Sequence, residues 1–303
     1  MRDFQRVIVV DWSASAMPSP RRPSKDAIWI AEAKVSDGTV QSWYLRTRAG
    51  AMQLLAGRFD AALAQNAPVL CGFDFPFGYP AGFAPKITGM AAALPVWAHL
   101  ACVVEDADDN RNNRFQVASD LNALFPGVGP FWGCPASVDL PGLPAKGTHR
   151  TGFGLPPRRL VEAHVPRAQP CWKLFTTGSV GSQSLLGLAR LDRLRRDFAD
   201  ALAVWPFEAA DRPLVLAEIY PSLLDGLVKA VLKRQERAIK DDVQVRLLAA
   251  ALAEMARRGT LTSALAACVG PDLHEEGWIL GVGVEAELLE AAQASAQGQS
   301  RRA

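Results

Sequence analysis

"VIVVDWSAS", Val7 to Ser15, decides how the rest of the chain is read. Four consecutive apolar residues, Val7 to Val10, fit a short strand covered on both faces. The run ends on a carboxylate, Asp11. An acid in that place is either a turn residue or a ligand for a cation, and one position alone leaves both readings open. What matters next is whether other acids hold equivalent places.

The chain has 303 residues, 49% of them hydrophobic, which is enough for one large domain or two smaller ones. Charged residues make up 21% and the formal net charge is +2, so overall charge argues neither for nor against a nucleic-acid partner. No apolar run approaches the roughly 18 residues of a membrane span. The opening "MRDFQRVIVVDWS" lacks the apolar length of a secretory signal. The cysteines (Cys71, Cys102, Cys134, Cys171, Cys268) are scattered, odd in number and without a C-x-x-C pair. That pattern argues against a zinc site or a disulfide framework and for a reducing cytoplasm.

Along the chain, "SASAMPSPRRPSKD" after Asp11 reads as a Ser/Pro-rich connection. "AIWIAEAKV" and "VQSWYLRT" predict two strands joined by the turn "SDG". "AGAMQLLAGRFDAALAQ" carries Met52, Leu55, Phe59 and Leu63 at helical spacing. "APVLCGFDFPFGYP" is another short apolar strand that ends on an acid, Asp74. From Tyr79 to Asp211, proline and glycine recur around helical pieces near Asn113–Phe125 and Gln183–Phe198, and the segment reads as a long insertion. Regular order resumes with "RPLVLAEIYPS", a strand carrying Glu218. "KDDVQVRLLAAALAEMARR" follows, a helix with Val245, Leu248, Leu252 and Met255 along one side. The last residues, rich in Ala, Gln and Ser, are expected to fray. The expected organisation is a core of residues 1–78 plus 212–258, an insertion over 79–211 that carries substrate contacts, and a C-terminal extension over 259–303.

The acids recur in one pattern. Asp11 ends the first strand, Asp74 the fourth, and Glu218 lies near the end of the fifth. Asp241 and Asp242 sit in the first turn of the long helix. Ligands of open α/β sheets sit outside the carboxyl ends of strands. Clustered carboxylates repel one another unless a cation neutralises them, and oxygen donors suit magnesium or manganese. Two such ions about 4 Å apart activate a water and stabilise a leaving oxygen at a phosphodiester. Each acid also has a bland explanation: Asp11 and Asp74 as turn residues, Asp241 and Asp242 as first-turn acids that favour the helix dipole. Glu218 resists one, because it interrupts the apolar "LVLAEIY". Asp241, four residues before Val245, points towards the packed stripe, and Asp242 partly away from it.

With these residues in place, the chain resembles the ribonuclease-H-like superfamily, and within it a family of uncharacterised predicted nucleases. The resemblance rests on the acid ending strand one (Asp11), "DFPFG" from Asp74, "EIYP" from Glu218 and the final acid-bearing helix at Asp241-Asp242. It covers roughly the first 78 residues and Leu214 to Arg258. It implies an α/β fold with a mixed sheet flanked by helices, and a metal-dependent phosphodiester hydrolase. Asp11, Asp74, Glu218, Asp241 and Asp242 would be its catalytic acids, and the first three with Asp241 would hold Mg2+ or Mn2+. The chain departs from the pattern in its last helix, where such proteins read D-x-x-D and this one has Val245 three residues after Asp242.

"WKLFTTGSVGSQSLLG", Trp172 to Gly187, is the second informative stretch. Thr176, Thr177, Gly178, Ser179, Gly181 and Ser182 precede a helical run, where free backbone N–H groups can hold a phosphate. An ordinary Ser/Gly-rich helix start fits equally well. Lys173, Arg158 and Arg159 are nearby in sequence and are expected to bind substrate phosphates with Thr177, Gly178, Ser179, Gly181 and Ser182. The expected substrate is a nucleic acid or a nucleotide-like phosphate, with no membrane partner. Two rival readings remain: an enzyme acting on a nucleotide or pterin-type cofactor, as in molybdopterin nucleotide biosynthesis, and a binding protein whose site has decayed.

Overall fold

A computed structural model describes residues 3–165, 167–235 and 237–300. In chain order the elements are β1 (Arg6–Asp11), β2 (Ile28–Lys34), β3 (Val40–Leu45), α1 (Arg48–Ala64), β4 (Val69–Phe73), α2 (Phe83–Thr88), α3 (Ala93–Val103), α4 (Arg114–Asn122), α5 (Leu160–His164) and α6 (Val180–Asp197). They continue as β5 (Leu202–Val204), β6 (Leu214–Ile219), α7 (Asp225–Arg234), α8 (Lys240–Arg258), α9 (Leu261–Ala266), α10 (Leu273–Glu276), β7 (Ile279–Leu280) and α11 (Glu285–Ser300). The chain divides into two compact units. The first comprises Met1–Asp74, Phe198–Cys268 and Ile279–Ala303; the second comprises Phe75–Asp197 and Val269–Trp278.

The first unit is a seven-stranded mixed sheet flanked by helices, the expected α/β class. Its order is β3-β2-β1-β4-β6-β5, and β7 also pairs with β6. β1, β2 and β3 are antiparallel; β4, β5, β6 and β7 join by parallel pairing that starts from β1. β1, β4 and β6 are almost wholly buried, which explains why they read as unbroken apolar runs. β2 contains one acid, Glu32, only 4% exposed. It is held between Arg6 at 3.0 Å and Arg58 of α1 at 2.5 Å, which places α1 on the face of the sheet that Glu32 occupies. α1 starts where Thr47 accepts the Gly50 N–H, and it buries Ala51, Leu55, Phe59 and Ala62. α8 packs across β1, β2 and β3 with Val245, Leu248, Leu252 and Met255 buried, and ends at Gly259 in the left-handed conformation.

Two boundaries differ from the sequence-based expectation. β5 lies inside the span read as insertion, and it pairs with β6 alongside Leu214–Leu216. The C-terminal stretch does not fray at its start. α11 packs on α8 and buries Leu288, Ala291 and Ala292; only residues 301–303 of the expected frayed tail lie outside the described residues.

In the second unit, α3 packs on α6, and Tyr79, Phe83, Phe131 and Trp172 form an aromatic cluster with ring centroids 4.5–5.9 Å apart. The segment carrying α10 is fastened by two carboxylates. Glu275 accepts the N–H groups of Gly82 (2.8 Å) and Ala84 (2.9 Å), and Glu276 those of Ala81 (2.9 Å) and Leu160 (2.6 Å). Gly78, the glycine of "DFPFG", is needed because a Cβ there would lie 2.3 Å from the Glu275 carbonyl oxygen.

A second close approach gives a test of this packing. A Cβ on Gly187 of α6 would lie 2.3 Å from the Phe75 ring. Helix propensity alone would make Gly187→Ala stabilising by about 1 kcal/mol. Overpacking against the buried ring reverses the sign, and a loss of about 1–3 kcal/mol is expected in urea melts.

Candidate functional site

The site begins with strand register. In the parallel pairing of β1 with β4, Val10 lies opposite Phe73, and the ladder continues with the Asp74 N–H donating to the Val10 carbonyl at 3.3 Å. Asp11 and Asp74, each one residue further on, therefore share one face of the sheet on strands about 4.8 Å apart. Both are half-buried, and their carboxyl groups are hydrogen-bonded to each other. The Trp12 N–H donates to Asp74 Oδ1 at 2.7 Å and fixes its orientation. The Trp12 ring is buried and meets Phe73 edge-on at 6.1 Å.

Asp241, in the first turn of α8, belongs to the same group. Its Oδ2 accepts the Asp26 N–H at 2.7 Å, and its charge acts on both Asp11 and Asp74. Burial holds the Asp11 carboxyl well above the usual carboxylate range, and the charges of Asp74 and Asp241 push it the same way. Burial also raises Asp74, to about 7, against the opposing Trp12 N–H and the hydrogen bond from Asp11. Asp241 is raised by burial and held back by the Asp26 N–H. At neutral pH the pair therefore tends to keep a shared proton.

Two of the expected acids are not in this group. Glu218 is only 2% exposed and lies in register with Phe73, which lies in register with Val10. Because successive side chains alternate, Glu218 points to the face opposite Asp11. The expected convergence of Glu218 with Asp11 and Asp74 is corrected by that half-turn of pleat. Asp242 turns towards Arg246 of its own helix, 4.0 Å away. Among the described residues, no three His, Cys, Asp or Glu side chains are grouped to hold a metal together.

The residues expected to hold substrate phosphates all lie in the second unit, and several are occupied there. Arg159 is 1% exposed, paired with Glu162 at 3.0 Å and bonded to the Glu276 carbonyl at 2.9 Å. Arg158 donates to the Ala168 carbonyl at 2.7 Å, and Lys173 to the Thr177 carbonyl at 2.6 Å. At the start of α6, the Gly181 N–H goes to the Lys173 carbonyl (2.9 Å) and the Ser182 N–H to the Ser179 carbonyl (3.1 Å). The Ser182 hydroxyl donates to the Leu174 carbonyl at 2.6 Å. Gly178 adopts φ 77°, and Thr177 is exposed. The N–H donors of Gly181 and Ser182 are spent within the fold and are not available to an anion.

Sequence reasoning missed the loop between β1 and β2. Arg48, the first residue of α1, is fully buried and donates to the carbonyls of Ser13 (3.0 Å) and Ser15 (2.7 Å). Arg46 donates to Ser19 O at 2.7 Å, Tyr44 to Pro20 O at 2.8 Å, and Trp29 Nε1 to Ser24 O at 3.0 Å. The loop closes where Ser13 Oγ donates to Asp26 O at 3.1 Å; Asp26 has φ 59°, which aspartate tolerates. The available signal was a cation-bearing loop that directly follows a candidate acid.

The carboxyl pair sets a pH dependence. Unfolded aspartate titrates near about 3.9. Both folded-state values are raised, so the native state binds more protons than the unfolded chain between about pH 4 and 7, and stability falls as pH rises through that window. Asp74→Asn keeps an acceptor for the Trp12 N–H and removes one charge. In metal-free urea melts it should match wild type near pH 4 and exceed it at pH 8 by on the order of 2 kcal/mol. An equal fall with pH in both proteins would show that the two carboxyls do not interact. Comparison with protein-family models, curated proteins and solved structures found no match for this chain.

Proposed function

We propose that the chain is a divalent-cation-dependent hydrolase of phosphate esters, nuclease-like in its chemistry, with Asp11 and Asp74 as the ligands of Mg2+ or Mn2+. The observation that supports this most is the hydrogen-bonded carboxyl pair at the carboxyl ends of neighbouring parallel strands. The donor set fits such an ion. Magnesium usually uses one or two carboxylates and keeps several waters, so a pair suffices. The order strand, strand, strand, helix, strand, with acids at the ends of β1 and β4, supports the ribonuclease-H-like resemblance.

When bound, the cation would supply a Lewis acid and a water of lowered pKa. The chain's own groups prepare the place. The Trp12 N–H holds one oxygen of Asp74, leaving the other for the pair. The pair shares a proton that relieves repulsion in the absence of a cation, and it would release that proton when positive charge takes over the role. Asp241 adds negative potential from α8 while the Asp26 N–H holds it. Glu218 takes no part in this proposal.

The test is hydrolysis of bis(p-nitrophenyl) phosphate and of labelled single-stranded and duplex oligonucleotides. Turnover should require Mg2+ or Mn2+ and stop with EDTA. Asp11→Asn and Asp74→Asn should each lower kcat/KM at least about 100-fold, equivalent to roughly 2.7 kcal/mol of transition-state stabilisation. Cleavage that persists undiminished in both variants would falsify the assignment.

A further inference from the structure

A phosphate ester brings negative charge to a place where Asp11, Asp74 and Asp241 already act on one another. Holding it there requires positive charge from the chain as well as from a cation. Two ammonium groups supply it from separate elements. Lys240 opens α8, and its charge acts on both Asp11 and Asp241. Lys25 precedes Asp26, whose N–H is bonded to Asp241, and its charge acts on Asp241 too.

Both side chains are exposed, and among the described residues neither is tied into an ion pair. That sets them apart from Arg6 and Arg58 on Glu32, Arg159 on Glu162 and Arg190 on Asp106. Their backbones are anchored independently. The loop before Lys25 is fastened by Arg48, Arg46, Tyr44 and Trp29, and α8 by its buried stripe. Lysine suits the task, since it binds phosphate as a compact point charge without a fixed partner geometry.

We propose that Lys25 and Lys240 form a phosphate clamp at this site, taking one phosphate of a nucleotide-containing substrate between the β1–β2 loop and the start of α8. Arg21 and Arg22, exposed in the same loop, add to its positive charge. The clamp rests on the reading of Asp11 and Asp74 as the hydrolytic centre, but binding can be measured without turnover.

The experiment uses the full chain carrying Asp74→Asn, in EDTA, so that neither hydrolysis nor a cation contributes. Fluorescence anisotropy follows a fluorescein-labelled dT12 strand over a salt series, and a thermal-shift arm uses dTMP. Lys25→Gln and Lys240→Gln are added singly, beside Lys34→Gln as a control. Lys34 is exposed and lies opposite Arg6, at the other end of β1 from Asp11. Each clamp substitution should weaken binding about 5-fold or more. Each should also lower the slope of log K against log salt by about 0.7, the value for one phosphate contact on a single strand. Lys34→Gln should do neither. Lysine-dependent binding of dT12 supports the clamp with an oligonucleotide substrate, and lysine-dependent binding of dTMP alone supports it with a small one. Binding of neither probe, or losses no larger than for Lys34→Gln, overturns it. In the otherwise wild-type enzyme the lysine variants should raise KM more than they lower kcat. If hydrolysis is absent while lysine-dependent binding remains, the clamp survives and the hydrolytic reading falls.

Discussion

Two carboxyl groups on the same face of neighbouring parallel strands, half-buried and in contact, cannot both ionise without a third party. That constraint organises the first unit. The register of β1 against β4 puts Asp11 beside Asp74, and every nearby feature answers the charge this creates. A shared proton relieves it between the two acids. The Trp12 N–H relieves it at Asp74, the Asp26 N–H at Asp241, and Lys25 and Lys240 relieve it through space.

The opposite face of the sheet solves a related problem differently. Glu32 is only 4% exposed, and two arginines flank it. An acid with its own counter-charges is complete as it is. Asp11 and Asp74 have each other and a shared proton instead. The contrast is between an acid whose charge the fold neutralises with cations and a pair whose charge it limits by sharing a proton.

The sequence carried much of this, and its failures have physical causes. α8 was legible to within its observed ends because nineteen residues with one apolar stripe leave little choice. The acids ending β1 and β4 were legible because each abruptly ends an apolar run. The face of Glu218 was not, since alternation gives a phase only relative to a neighbouring strand, and the pairing of Glu218 with Phe73 joins segments far apart in the chain. β5 escaped because three residues have no period. The Thr176–Ser182 turn looked open to an anion because a sequence does not show that the Gly181 and Ser182 N–H groups already have acceptors. The β1–β2 loop was passed over for the opposite reason: its ties to Arg48 and Asp241 span 33 to 215 residues.

The threading of the chain through its two units has a consequence for biogenesis. Polypeptide passes from one unit to the other after Asp74, Asp197, Cys268 and Trp278. Glu275 and Glu276, which accept four N–H groups of the second unit, are synthesised after almost all the rest of that unit. β7 and α11 of the first unit come later still. Many multidomain chains fold their N-terminal part first while still on the ribosome. Here neither unit has all its acceptors and edges until translation has passed about residue 280; β1 can pair early with β2 and β4, but α8, which packs on it, is made only at residues 240–258. Stalling late in the message would release two incomplete units rather than one finished and one missing.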